Sequence, residues 1–104
     1  MSMMTQIMGR NAHKAQIVQD VAEVFGVRPA QILARMRTAS VADARFAVFT
    51  ILYAQGRSLN EVGKIMGRDH GAVHNGLQKF KIRCATERKY AAKAQALREM
   101  GYDC

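Results

Sequence analysis

The sequence predicts an all-α fold, a small helical bundle containing a helix-turn-helix. Three observations carry this: no stretch alternates apolar and polar residues for long, one proline stands in 104 residues, and apolar residues recur at helical spacing between start and stop signals. A chain of this length makes one domain with one modest core. Such a size suits a module that works through its surface better than an enzyme with a deep pocket.

Residues 1–11 are expected to form a flexible arm and residues 12–104 a single folded domain. From Ala15, the residues Ile17, Val18, Val21, Val24 and Phe25 fall on one helical face, and Gly26 stands where the helix should stop. Pro29 suits the first turn of a short second helix carrying Ile32 and Leu33, which runs out in the basic stretch ARMRTAS. Ser40 with Asp43 three residues later reads as a capping box for a third helix, whose Ala44, Ala47, Val48, Ile51 and Leu52 recur until Gly56. Ser58 with Glu61 repeats the pattern before a fourth helix of Leu59, Val62, Ile65 and Met66 that ends at Gly67.

Asp69 then caps a fifth helix in which Val73, Leu77, Phe80 and Cys84 form one apolar stripe. Gly71, His74, Asn75 and Gln78 centre on the opposite face. A short helix, a glycine turn and a longer capped helix make a helix-turn-helix, and Gly63 would let the two backbones approach closely. A last, Ala-rich helix is expected at about 85–100, with Tyr90, Ala94 and Leu97 on one side. This helix could fold back on helix one or dimerise, so monomer and homodimer both stay open.

The net charge of +8 is unevenly spread. Residues 28–98 hold fourteen Lys or Arg against Asp43, Glu61, Asp69 and Glu87, an excess of ten, whereas residues 1–27 balance to zero. Nucleic acid is the polyanion such a surface most commonly serves; an anionic membrane surface or plain solubility are the other readings. Cys84 and Cys104 are too few for a disulfide framework and have no metal-ligand spacing, which suits a reducing cytosol. No stretch has the length and hydropathy of a signal peptide or a membrane span.

The segment SLNEVGKIMGRDHGAVHNGLQKF, with ARMRTASVADAR and IVQDVAEVFGVRPAQIL before it, resembles the C-terminal DNA-binding domain (domain IV) of the bacterial replication initiator DnaA. The resemblance covers roughly residues 15–83. It implies a Trp-repressor-like helix-turn-helix bundle that reads a short AT-rich box in double-stranded DNA. By the same resemblance Asp69 and His70 contact bases in the major groove, Arg68 is structural or near the DNA backbone, and Arg37 enters the minor groove. Arg35, Arg45 and Lys79 fall on phosphate contacts. Gly71 and Asn75 occupy further base-contact positions, and Ala72 and Lys81 further phosphate positions. These roles are sound chemistry: Asp can accept from cytosine N4, an arginine suits a narrow A·T-rich minor groove, and basic side chains neutralise phosphates.

Several positions depart from the family pattern. Gly71 and Ala72 replace two threonines, removing a methyl group and a hydroxyl. Asn75 replaces a histidine, with His74 one place earlier. Ala39 and Asp43 stand where arginines are usual, Ala44 replaces a proline, and Phe46 a glutamine. A changed or relaxed target site is expected.

His70 and His74 have the spacing of two zinc ligands, but HGAVH lacks the glutamate of HExxH and no third ligand is evident, so no metal site or cofactor is expected. No catalytic set of Ser, His and Asp or of Cys and His stands out, and the ATP-binding pattern GxxxxGK[ST] is absent. The sequence thus reads as a stand-alone, non-enzymatic, sequence-selective binder of double-stranded DNA, cytoplasmic and nucleoid-associated. It would regulate transcription or replication, with a full-length initiator as competitor at shared sites. The alternative is a protein-interaction adaptor or nonspecific DNA binder that keeps the fold without base readout.

Overall fold

The computed structural model describes residues 13–104, so the expected N-terminal arm at 1–11 lies outside the described residues. Six helices follow one another: α1 (Lys14–Phe25), α2 (Pro29–Leu33), α3 (Ala39–Ala54), α4 (Leu59–Met66), α5 (His70–Thr86) and α6 (Arg88–Glu99). The described residues contain no strand. None of these helices is long and apolar enough to cross a membrane.

α3 runs through the middle and packs against α1, α2, α4 and α5. Its Ala44, Ala47, Val48, Phe49, Ile51 and Leu52 are all buried, and Ile17, Val18 and Val21 of α1, Ile32 of α2, Val62 of α4 and Val73 of α5 close around them. A helix this apolar on most sides needs neighbours on most sides, and the short connections supply them.

Two elements are bounded as read, one at its end and one at its start. α1 stops at Gly26 in the left-handed region (φ 70°). α4 opens on a reciprocal capping box, with the Glu61 amide donating to Ser58 Oγ (3.1 Å) and the Ser58 amide to Glu61 Oε1 (2.8 Å). The start of α3 differs from expectation. It begins at Ala39 with Thr38 in the cap position and no side-chain cap bond. Asp43, expected at the end of a capping box with Ser40, instead forms an ion pair with Arg83 of α5 (3.0 Å). One turn inside the helix, its carboxylate gains more from a cation across the interface than from a helix start it cannot reach.

The last helix, α6, folds back on α1. Tyr90 sits edge-on between Phe25 and Phe80, with ring centroids 5.5 Å from each, and its hydroxyl donates to the Asp43 carbonyl (2.8 Å). Lys93 lies over the Phe25 ring and the Tyr102 hydroxyl bonds the Asp20 carboxylate. The break before α6 falls at Glu87, whose backbone is extended (φ −124°, ψ 111°), with no glycine or proline to announce it.

Candidate nucleic-acid interface

Gly67 turns the chain between α4 and α5. At φ 67° it occupies a conformation that side chains disfavour, and the Arg68 amide after it returns to the Gly63 carbonyl (2.8 Å). A Cβ on Gly63 would collide with the Arg68 carbonyl, so the close approach of these backbones depends on that glycine. Asp69 follows the turn and caps α5, with Oδ1 accepting from the Ala72 amide (2.8 Å) and Oδ2 outside that bond. His70 and Gly71 are thereby set on the exposed first turn of α5.

The basic loop between α2 and α3 is held against this turn by two guanidinium groups. Arg45 donates from Nε to Ile32 O (2.9 Å), from Nη1 to Met36 O (3.1 Å), and from Nη2 to Gln31 O (3.2 Å) and Ala34 O (2.7 Å). Arg68 donates from Nη2 to the same Ala34 carbonyl (2.8 Å), and from Nη1 to Met66 O and Gly67 O (both 3.3 Å). One carbonyl with two lone pairs therefore takes a bond from each arginine, linking the loop to the helix-turn-helix.

These bonds, with the Asp69 cap, engage three residues expected at or near the DNA backbone. Arg45, expected at a phosphate, is 8% exposed, with four of its five N–H groups engaged by the protein. Burial first, and the nearby Arg68 charge second, lower its pKa from the usual guanidinium value; the four carbonyls compensate the buried charge. Arg68, expected to be structural or near the DNA backbone, donates to three carbonyls of the turn and the loop. Ala72, expected at a phosphate, has its amide taken by Asp69 and no hydroxyl to replace it.

Arg35, Met36, Arg37, Arg45, Gly67, Arg68, Asp69 and Ala72 line one cleft of about 490 Å³. Arg35 and Arg37 are exposed on its loop side. His70, Gly71 and Asn75 continue outward along α5. Lys79 and Lys81 are exposed further along the same helix, but two residues differ by roughly 200° around a helix, so they flank the exposed face on opposite sides. Lys81 lines a separate cavity with Cys84, Arg98 and Cys104, away from the cleft.

Sequence reasoning missed three features. The Ala34 carbonyl has no sequence signal. Arg83, counted among the basic residues of α5, is paired with Asp43 and, at 3.4 Å, with Glu87; a helical i, i+4 spacing announced the second pair. Ile82 is 58% exposed and falls in line with Gly71, Asn75 and Gln78, a row that its i, i+4, i+7, i+11 spacing makes legible. Among the described residues no group of three or more His, Cys, Asp or Glu could hold a metal ion.

A glycine-turned pair of helices, the second capped at its exposed first turn and flanked by an arginine-braced basic loop, defines a DNA-binding helix-turn-helix domain. A model of the bacterial DnaA protein helix-turn-helix matches residues 15–80, and the chain belongs to that family. The match spans α1 to α4 and the first part of α5; the rest of α5 and all of α6 lie beyond it. No match was found among curated proteins.

Proposed function

We propose that this domain binds double-stranded DNA sequence-selectively and regulates transcription or replication by occupying sites, in competition with a full-length initiator wherever their sites coincide. The observation that carries the reading is the shared Ala34 carbonyl. It holds the loop bearing Arg35 and Arg37 at a set distance from the turn bearing Asp69 and His70. Adjacent grooves of a duplex are a fixed distance apart, so a protein that reads both needs its two readers held rigidly to each other.

In this mode the first turn of α5 enters the major groove, where Asp69 Oδ2 accepts from a base amine while Oδ1 caps the helix. His70 and Asn75 contact base edges, Asn75 suiting adenine N6 and N7. Arg37 enters the neighbouring minor groove, with Arg35 and Lys79 at phosphates. Lys81, on the far flank, contributes a weaker, long-range attraction. Arg45 and Arg68 brace the loop that carries the contacts. The chain holds no GxxxxGK[ST] segment, so site occupancy is the action its own residues provide.

Selection from a random duplex library at physiological salt, with sequencing of the bound pool, tests the proposal. A recovered motif supports selective readout, and its likeness to the initiator's box measures the overlap that competition requires. Retention that depends only on salt, with no motif, would refute selective binding and leave nonspecific binding in its place.

A further inference from the structure

The helix-turn-helix contains four glycines, and the fold accounts for three. Gly67 occupies the left-handed turn. Gly63 must admit the Arg68 carbonyl, and a Cβ on Gly76 would run into the Phe49 ring. Gly71 has no such reason. Its φ is not positive, and the one atom a Cβ there would approach is Asp69 Oδ1, at the ordinary contact distance of 3.4 Å. Alanine would leave the cap undisturbed and is the better helix former.

Gly71 also stands at the end of the exposed row that continues through Asn75, Gln78 and Ile82. It is next to His70 and two residues from Asp69, on the turn that a recognition helix presents to base edges. A helix backbone left bare where the fold would accept a side chain marks a place where a ligand comes close.

We propose that Gly71 is a specificity-determining residue: its missing side chain lets the first turn of α5 seat nearer the base edges, by about the width of a methyl group, than a family member carrying a side chain there. The inference rests on the DNA-binding mode proposed above. The bare turn brings His70 and Asn75 into range of their bases, so neighbours that reach further into the groove take over the part a threonine at 71 would play. A side chain added at 71 would act as a spacer, lifting both residues away together while leaving the phosphate contacts of Arg35 and Lys79 in reach.

The test compares the wild type, Gly71→Ala and Gly76→Ala. Three quantities are measured: thermal melting, affinity for the duplex the wild type selects, and affinity for an unrelated duplex of the same length. For Gly71→Ala the expected results are a melting temperature unchanged or raised by a few degrees, roughly 10-fold weaker binding to the selected duplex, and unchanged binding to the unrelated one. Gly76→Ala should melt lower, because its Cβ has no room beside Phe49. Unaltered affinity for the selected duplex in Gly71→Ala would overturn the inference, and so would a lowered melting temperature, which would show that the fold needs this glycine. A wild type that prefers no sequence would overturn selective binding itself, and the inference with it; the failures are distinguishable because only this last one is seen in the unmutated protein.

Discussion

Arg45 and Lys79 are both basic residues near the recognition helix, yet they should fail differently when removed. Arg45→Ala leaves the Ile32, Met36 and Gln31 carbonyls without their donor and the Ala34 carbonyl with Arg68 alone; unpaired buried acceptors each cost about 1–3 kcal/mol, and solvent recovers part of that. The expected loss is about 2 kcal/mol in urea denaturation, with DNA binding weakened because the basic loop is no longer fixed. Lys79 is exposed, so Lys79→Ala should leave stability unchanged, weaken binding to every duplex alike, and reduce the slope of log affinity against log salt by about 1. His70→Ala should do neither. Its expected effect is reduced discrimination between selected and unrelated duplexes, worth about 1–3 kcal/mol, at constant salt slope. Affinity titrations at three salt concentrations on two duplexes separate the three outcomes, and equal discrimination by wild type and His70→Ala would remove that histidine from the readout.

At the scale of single helices, local chemistry explains most of what was legible in the sequence. Ser58 and Glu61 announced α4 because both partners of the capping box lie within four residues, and Asp69 announced α5 for the same reason. Ser40 and Asp43 present a similar spacing, but the carboxylate bonds to Arg83, forty positions away in sequence, a distance over which a sequence pattern carries no geometry. The basic loop was legible as charge, whereas the division of labour within it was not. Arg35, Arg37, Arg45 and Arg68 look alike in sequence, and only the fold separates two exposed side chains from two engaged with carbonyls. The α4 cap gives a prediction of its own. The Ser58 amide bond, and then the bond from Ser58 as a side chain, hold the Glu61 carboxyl below its usual pKa. A depressed folded pKa contributes stability that is present above the unfolded value and lost as pH falls through the folded one. Melting temperature should therefore decline more steeply in the wild type than in Glu61→Gln as pH falls below about 4.5. Parallel curves for the two proteins would mean that the carboxylate adds nothing to the cap. Ser58→Ala should cost about 1 kcal/mol at neutral pH.

Across the whole molecule, the α6 segment decides how the bundle is closed, and its chemistry sets an alkaline limit. Tyr90 is buried between two aromatic rings and Tyr102 is buried against Asp20. Desolvation, and after it the neighbouring acid, raise both phenol pKa values well above the ordinary tyrosine range. Cys104, close to Tyr102 in the chain, is likewise pushed up to about 11, chiefly by burial. For groups whose folded pKa is raised, stability is complete below the unfolded pKa and is lost as pH rises through the folded one, because the unfolded chain releases its protons first. All three groups lie on the same closure, in which α6 and the following residues fold back on α1, so their effects should appear together. Stability should fall progressively above about pH 9, where a cysteine in the unfolded chain ionises, and steeply above about pH 10, where tyrosine joins it. Near-ultraviolet phenolate absorbance followed with helical circular dichroism checks this: the signals of Tyr90 and Tyr102 should rise only as helix is lost. Tyr102→Phe removes one raised group together with its bond to Asp20. Its alkaline decline should be shallower than that of the wild type even though its stability at neutral pH is lower. A mutant whose stability fell in parallel with the wild type over the same pH range would show that closure by α6 does not depend on keeping this phenol neutral.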